Sequence, residues 1–345
     1  MLTALLIIFA FGILIFIHEL GHFIAAKILK IKVLQFSLGF GKEILGKTFN
    51  ETRYSLCILP IGGAVRLKGE NIEELDLEEN SFFGKKWYQR IFVVVMGPVM
   101  NYVLAVLIFT FLAYFFGVAT FTGEPVIGEV LEGKPAYIAG LRSKDRIVSI
   151  NGQQITTWTQ MAEIINSSVD KKLVLEILRG EERLKIELTP QKDPYTERGI
   201  IGVTAGYEIK KVGLIKSVYI GIGQPVMLSI YSIQYLIDKL IKLQKPEVAG
   251  PVGVIQVLSK SAKSGIENFL YTVGVISSML GLFNLFPVPI LDGGHIFFAF
   301  VEGLITKKIP SKKVFEIANM IGLSIILFLF FFATYSDILR IISKK

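Results

Sequence analysis

Residues 2–28 form an almost wholly apolar run with no charged side chain before His18. A run of that length can cross a bilayer as one helix. It leaves few folds open, because backbone polar groups in hydrocarbon must be satisfied within helices or closed barrels. Inside the run lies Phe16-Ile17-His18-Glu19-Leu20-Gly21-His22-Phe23. Residues four apart share a helix face, so His18 and His22 can grip one metal ion, and Glu19 beside them is placed to polarise a water there. Two of the chain's three histidines are in this motif. At membrane depth such groups are costly unless they serve a purpose. By helical rise, His18 lies about 24 Å from the outer end of the run, nearer to Lys27 and Lys30.

The rest of the chain agrees with a membrane setting. It is 52% hydrophobic over 345 residues, more apolar than most soluble domains. The net charge of +8 fits basic residues flanking membrane spans, and no nucleic-acid motif accompanies it. The single cysteine, Cys57, excludes an internal disulfide and reads as a packing residue. The N-terminus lacks the basic region and small-residue cleavage site of a signal peptide, and cleavage there would remove the metal ligands, so it is expected to be retained.

Four spans are predicted, at 2–28, 91–118, 266–304 and 317–336. The basic stretch 27–90 places that segment in the cytoplasm and the N-terminus outside. Residues 212–243 are uncharged between Lys216 and Asp238 but diluted by Gly221, Gly223, Pro225 and several polar residues. If they crossed, the basic loop Lys307, Lys308, Lys312, Lys313 would fall outside, so they are read as an interfacial or partly embedded helix. Residues 122–190 alternate apolar and charged residues between turns at Gly133, Asn151-Gly152 and Gly180, which predicts a small α+β domain outside the cytoplasm. The acidic stretch 70–80 reads as a solvated surface loop. The expected divisions are thus 1–118, 122–190 and 191–345.

Three further places bear on chemistry. Tyr54 to Lys68 is β-like, with Pro60, Gly62 and Gly63 at its middle. It could be a hairpin dipping into the membrane, whose edge pairs with an unwound substrate strand, or an ordinary cytoplasmic hairpin. Asn101, about 16 Å from Arg90 along its helix, comes close to the depth of His18; it could face a site or make a helix–helix hydrogen bond. Asn284-Leu285-Phe286-Pro287-Val288-Pro289-Ile290-Leu291-Asp292-Gly293-Gly294-His295 contains two prolines that must break the helix, and broken helices at membrane depth normally line a cavity. Catalytic zinc commonly takes three protein ligands. Asp292 is an uncompensated carboxylate that would complete a set with His18 and His22, the alternative being a helix N-cap. His295 reads as a pocket residue or a neighbour of the ligands.

With these motifs, and with Phe36-Ser37-Leu38-Gly39-Phe40-Gly41, Pro60-Ile61-Gly62-Gly63 and Gly97-Pro98-Val99-Met100-Asn101, the chain resembles the site-2 protease family, the bacterial RIP zinc metalloproteases of the regulator of sigma-E type. The resemblance implies a polytopic α-helical membrane protein with about four transmembrane helices, a membrane-reentrant β-loop at 54–69 and an inserted PDZ domain at 122–190. The last rests on Pro135-Ala136-Tyr137-Ile138-Ala139-Gly140-Leu141, Asp145-Arg146-Ile147 and Ile150-Asn151-Gly152. It implies a metalloendopeptidase of the inner (cytoplasmic) membrane that cuts transmembrane segments, for example of anti-sigma factors or remnant signal peptides. Zn2+ would be held by His18, His22 and Asp292, with Glu19 as base. Asn284 would help hold substrate or the developing oxyanion, and Asn101, Gly62 and Gly63 are further substrate-binding candidates. The implied partners are single-span membrane proteins, the lipid bilayer and a PDZ ligand. Relatives of this type often carry two tandem PDZ domains, and this chain has room for one. A catalytically dead scaffold would break one of the two motifs, and both are intact. A transporter would favour more spans and internal repeats, and neither is found.

Overall fold

A computed structural model describes residues 2–71, 76–193, 196–244 and 249–342; part of the acidic stretch read as a surface loop, 72–75, lies outside them. The chain divides into two compact units, 1–115 with 213–345, and 116–212.

The first unit is helical. It begins with α1 (Leu2–Ile28), a bent β-pair β1 (Val33–Phe49) and β2 (Thr52–Leu67), and α2 (Trp87–Phe115). Helices α1 and α2 run antiparallel: His18 meets Asn101, Gly21 meets Met96 and His22 meets Val93. They approach closely because glycines stand at the crossing. A Cβ on Gly21 would lie 2.1 Å from the Met96 carbonyl oxygen, and one on Gly97 would lie 2.3 Å from His22 Nε2. Small residues at a crossing are how membrane helices gain packing, since lipid gives them no hydrophobic drive to associate.

The β-pair differs from the hairpin expected at 54–68. The turn falls at Asn50-Glu51, both at positive φ (44° and 63°), and Pro60 to Gly63 are a bend within β2. Both strands fold back, so Phe36 faces Val65 on one side and Tyr54 on the other. The last part of β2, 63–67, thereby becomes an edge, lying beside Ile15 and Glu19 of α1. Charged Lys42, Glu43 and Lys47 hide the strand character of β1 in the sequence; their side chains project from a two-sided sheet. Cys57 is buried and free, as expected of a packing residue.

The second unit, 116–212, is wider than the 122–190 predicted. It contains β3 (Val118–Phe121), β4 (Ile127–Val130), α3 (Pro135–Ile138), β5 (Arg146–Ile150), β6 (Gln153–Gln154), α4 (Trp158–Asn166), β7 (Leu173–Arg179), β8 (Glu182–Leu188), β9 (Gln191–Lys192), β10 (Gly199–Ile200), β11 (Val203–Ala205) and β12 (Tyr207–Lys210). The added residues belong because β11 pairs with β4 and β12 with β3, closing the domain on itself. Its main sheet has the order β6-β5-β7-β8. Asn151 and Gly152, at φ 50° and 82°, make the predicted β5–β6 turn in the conformation that matches strand twist. Ile147, Ile150, Met161, Ile165, Leu175 and Ile177 form its core. Buried Asp145 accepts two 2.8 Å bonds from Arg179, so its charge is paired.

The chain then returns to the helical unit with α5 (Leu214–Ile241), α6 (Pro251–Lys263), α7 (Ile266–Asn284), α8 (Asp292–Phe300), a π-helical turn Val301–Thr306 and α9 (Lys312–Ile342). Among the described residues, helices α1, α2, α5, α7 and α9 are each long and apolar enough to cross a membrane, five where four were predicted. The difference is α5. It stands alongside α2 in antiparallel fashion, with Gly221 against Thr110 and the Tyr102 hydroxyl 2.7 Å from Ser229 Oγ. Its buried residues Ser217, Gly221, Pro225 and Ser229 recur every four positions. Helix α7 is also antiparallel to α2, with Gly274 against Phe109 and Gly281 against Tyr102. Both therefore start at the Phe115 end of α2, and the chain turns back between them. Leu258 of α6 packs with Ala10 and Leu14 of α1 in that same half. At the opposite end Glu302 pairs with buried Arg90, which brings the basic residues after the π-turn to the side of the basic stretch 27–90.

Candidate active site

Helix α1 presents His18 and His22 one turn apart, and the break between α7 and α8 delivers Asp292. The prolines force the break, and the two glycines after Asp292 let the returning chain pass. A Cβ on Gly293 would lie 2.1 Å from the Phe286 carbonyl oxygen, and one on Gly294 would lie 2.5 Å from that of Val288. Ile290, a β-branched residue, is held at φ 79°, a strained conformation of the sort that persists where surrounding structure over-determines it. Leu291 occupies the N-cap position of α8 and Asp292 is its first helical residue, with no side-chain cap bond at that end. The N-cap alternative for Asp292 is thereby removed.

The three side chains converge. His18 Nε2 lies 3.1 Å from Asp292 Oδ2, His22 Nε2 lies 3.6 Å from Asp292 Oδ1, and the two Nε2 atoms are 3.2 Å apart. Ligand atoms about 2.0–2.1 Å from a tetrahedral zinc lie about 3.3 Å from one another, so the set fits that ion. Asp292 Oδ2 is buried and has no hydrogen-bond partner, which is costly for a carboxylate unless a cation balances it. Among the described residues this is the one cluster of histidines, cysteines and carboxylates with metal-binding geometry.

Around the cluster is a cavity of about 380 Å³. Glu19 lines it, its Oε2 accepting a 3.0 Å bond from the Val65 amide on the edge of β2. Gly63 lines it too, and a Cβ there would meet the Ser37 carbonyl oxygen at 3.0 Å and Glu19 Cγ at 3.1 Å. Asn284, the last residue of α7, and His295 also line it; His295 lies against the Phe315 ring. Gly62, at φ 110°, is buried in the bend and is not among the lining residues. Asn101 is not among them either. It is 1% exposed, and its amide lies 3.1 Å from His18 Nδ1. Of the substrate-binding candidates, Asn101 is thus placed against the His18 ring and away from the cavity lining.

Two features escape the sequence. Glu70 is exposed, as the acidic stretch predicts, but it also stands at the rim of the cavity and accepts a 3.1 Å bond from the Leu67 amide. Surrounding protein desolvates its carboxyl and raises its pKa, and the Glu19 and Asp292 carboxylates add to the rise; cavity water still reaches the group and tempers the first effect. The other feature is the Val93 carbonyl, 3.0 Å from His22 Nδ1. Nothing in the sequence marks it: Pro98 lacks the N–H that would bond the Val94 carbonyl, one residue on.

The sequence pattern of peptidase family M50 matches residues 6–329. A protein of Rickettsia conorii is 32% identical over 99% of this chain and 100% of its own. The zinc metalloprotease RasP of Bacillus licheniformis is 29% identical over 98% of this chain and 99% of its own. The regulator of sigma-W protease RasP of Bacillus subtilis is 28% identical over the same shares. Among solved structures, the PDZ domain of an SdrC-like protein from Listeria monocytogenes aligns with 26% of this chain and 93% of its own, at 19% identity and a TM-score of 0.22.

Proposed function

This chain belongs to peptidase family M50, the zinc-dependent site-2 proteases, and from that premise we propose that His18, His22 and Asp292 hold the zinc and that Glu19 is the general base. The protein is an intramembrane zinc metalloprotease. The observation that carries the residue roles is the convergence of three ligand atoms from α1 and α8 beside Glu19, the two imidazoles lying on a helix long enough to span a bilayer.

Zinc supplies Lewis acidity at the scissile carbonyl and lowers the pKa of a water to about 7. Glu19 removes the proton from the attacking water and delivers it to the departing amine. The Val65 amide fixes the direction of that carboxylate. Asn284 donates to the substrate carbonyl or to the oxyanion that replaces it. A helical substrate hides its carbonyls, so it must unwind before attack. Strand pairing with the β2 edge at Gly63 and Val65 offsets part of the cost. The cleavage is therefore endoproteolytic, and the substrates are single-span membrane proteins such as anti-sigma factors or remnant signal peptides. The name of the sigma-W regulator in Bacillus subtilis is in keeping with the first class. The inserted domain acts as a PDZ domain that binds a chain terminus or a substrate ectodomain. The protein resides in the cytoplasmic membrane with its basic end, 27–90 and 307–313, in the cytoplasm.

The test is a reconstituted assay with a single-span substrate carrying a Gly or Pro pair, beside the same segment made Leu-rich. Glu19→Gln keeps size and hydrogen bonding, so zinc content should persist while cleavage falls by about 100-fold or more. The weakened helix should be cut and the Leu-rich one resist, because only the first unwinds cheaply. Wild-type cleavage by Glu19→Gln, or cleavage of soluble unstructured peptides alone, would refute the reading.

A further inference from the structure

Both imidazoles of the metal cluster are anchored on α2 through the nitrogen that faces away from the cluster. His22 Nδ1 lies 3.0 Å from the Val93 carbonyl oxygen, and His18 Nδ1 lies 3.1 Å from the Asn101 side-chain amide. A neutral imidazole carries one N–H and one lone pair. The Val93 carbonyl only accepts, so His22 must carry its proton on Nδ1, which leaves the Nε2 lone pair for a metal. His18 has no such unambiguous partner. With the amide nitrogen of Asn101 toward it, Nδ1 would be the acceptor and the Nε2 proton would point into the cluster, where a metal must sit. The buried Oδ1 of Asn101 has no hydrogen-bond partner in that orientation, and turning the amide sets its NH2 in the same place, so the choice is made by the tautomer that a metal on Nε2 requires. The oxygen and nitrogen of an amide are near-identical in shape.

We infer that Asn101 Oδ1 accepts the Nδ1 proton of His18, and that Asn101 is thereby a positioning residue that sets the metal-binding tautomer of that ligand. The inference rests on His18, His22 and Asp292 being the zinc ligands. The amide is held for the task. Asn101 is fully enclosed, and the Ser277 hydroxyl of α7 donates to its main-chain carbonyl at 2.8 Å. Metal-bound histidines usually give their other N–H to an oxygen, and loss of that oxygen weakens binding about 10- to 100-fold. A neutral amide supplies the oxygen at membrane depth without burying another charge. Helix α2 is then the template for both imidazoles, one through its backbone and one through a side chain.

The test is zinc affinity by chelator competition on the purified full-length protein, with cleavage measured at saturating zinc. Asn101→Asp retains the accepting oxygen and should stay within a few-fold of wild-type affinity. Asn101→Leu removes it at similar volume and should bind zinc about 10- to 100-fold more weakly, with cleavage recovered by excess zinc and KM unchanged. Asn101→Ser, smaller and out of reach of His18, should match the Leu variant and serves if that one does not fold. Wild-type zinc affinity in the Leu and Ser variants would overturn the inference. A raised KM at saturating zinc would overturn it as well, because it would mean that Asn101 touches substrate. Failure of the ligand assignment is separately visible: a His18→Ala control would then keep its zinc.

Discussion

Gly97 leaves no room for a methyl group. Gly97→Ala would place a carbon 2.3 Å from His22 Nε2 and 2.9 Å from His18 Cε1, so α1 and α2 must part or both rings must turn. The expected outcome is a protein that still inserts but holds well under half its zinc, read by metal analysis. Gly223→Ala, with nothing within 4 Å, should keep its full complement. At this scale the sequence told which residues would meet wherever residue type is distinctive: two imidazoles at helical spacing, a glutamate beside them, a carboxylate after a proline break. It was illegible where a residue acts through geometry. Asn101 reads from its depth as polar and functional, but only the packing shows that it stands behind His18 and not in front. Glu70 has the same side chain as its acidic neighbours, and nothing local says that the end of β2 sets it at the rim of the cavity.

Among the elements, α8 is tied to α2 at its far end by the Arg90–Glu302 pair, and Glu302 sits in the π-helical turn that follows α8. Arg90 is 3% exposed and lies over the Phe83 ring, so the pair is screened from water. Removing one partner of such a pair costs about 3–5 kcal/mol, because a buried charge is left alone, whereas replacing both by apolar residues is often near neutral. Glu302→Gln should therefore lower the thermal midpoint in detergent, and Arg90→Met with Glu302→Met should recover much of the loss. A double variant no more stable than the single one would contradict this. Helix α5 shows why one element was misjudged. Ser217, Gly221, Pro225 and Ser229, which dilute its hydropathy, are the residues it buries against α2. Small side chains weaken a hydropathy signal and strengthen a helix contact, so Gly221, Pro225 and Ser229 argue against a span in the sequence and make the packing in the fold. The β-pair was half legible for a related reason: 54–68 is apolar and β-like, too short to span as a helix, whereas β1 needs its partner to be recognised.

For the whole molecule, the antiparallel run of α1, α5 and α7 against α2 fixes which ends share a side. Gly265 begins α7 at the Phe115 end, and Lys308 follows the π-turn at the Arg90 end. In a Cys57→Ser background, a membrane-impermeant maleimide should reach Lys308→Cys from the same side as Arg66→Cys, and Gly265→Cys from the other. Labelling of all three from one side would undo the arrangement. The charge rule gave the same result from sequence, but through a choice between crossing and lying flat that the structure does not require. Helix α5 can stand beside α2 because the chain comes back before α7.

The clasp made by β3 and β12, with Val118 opposite Lys210 and Phe121 opposite Tyr207, brings the two ends of residues 116–212 together. Seen from the flanking helices, the whole insertion is a closed loop whose ends are already joined, and loop closure depends only weakly on how much chain lies within it. Such a junction tolerates exchange: a different domain, two in series or a short turn can be grafted between Phe116 and Val212 without rethreading a single helix. The inserted domain is thereby free to evolve by replacement, while the helices that carry His18, His22 and Asp292 change only residue by residue.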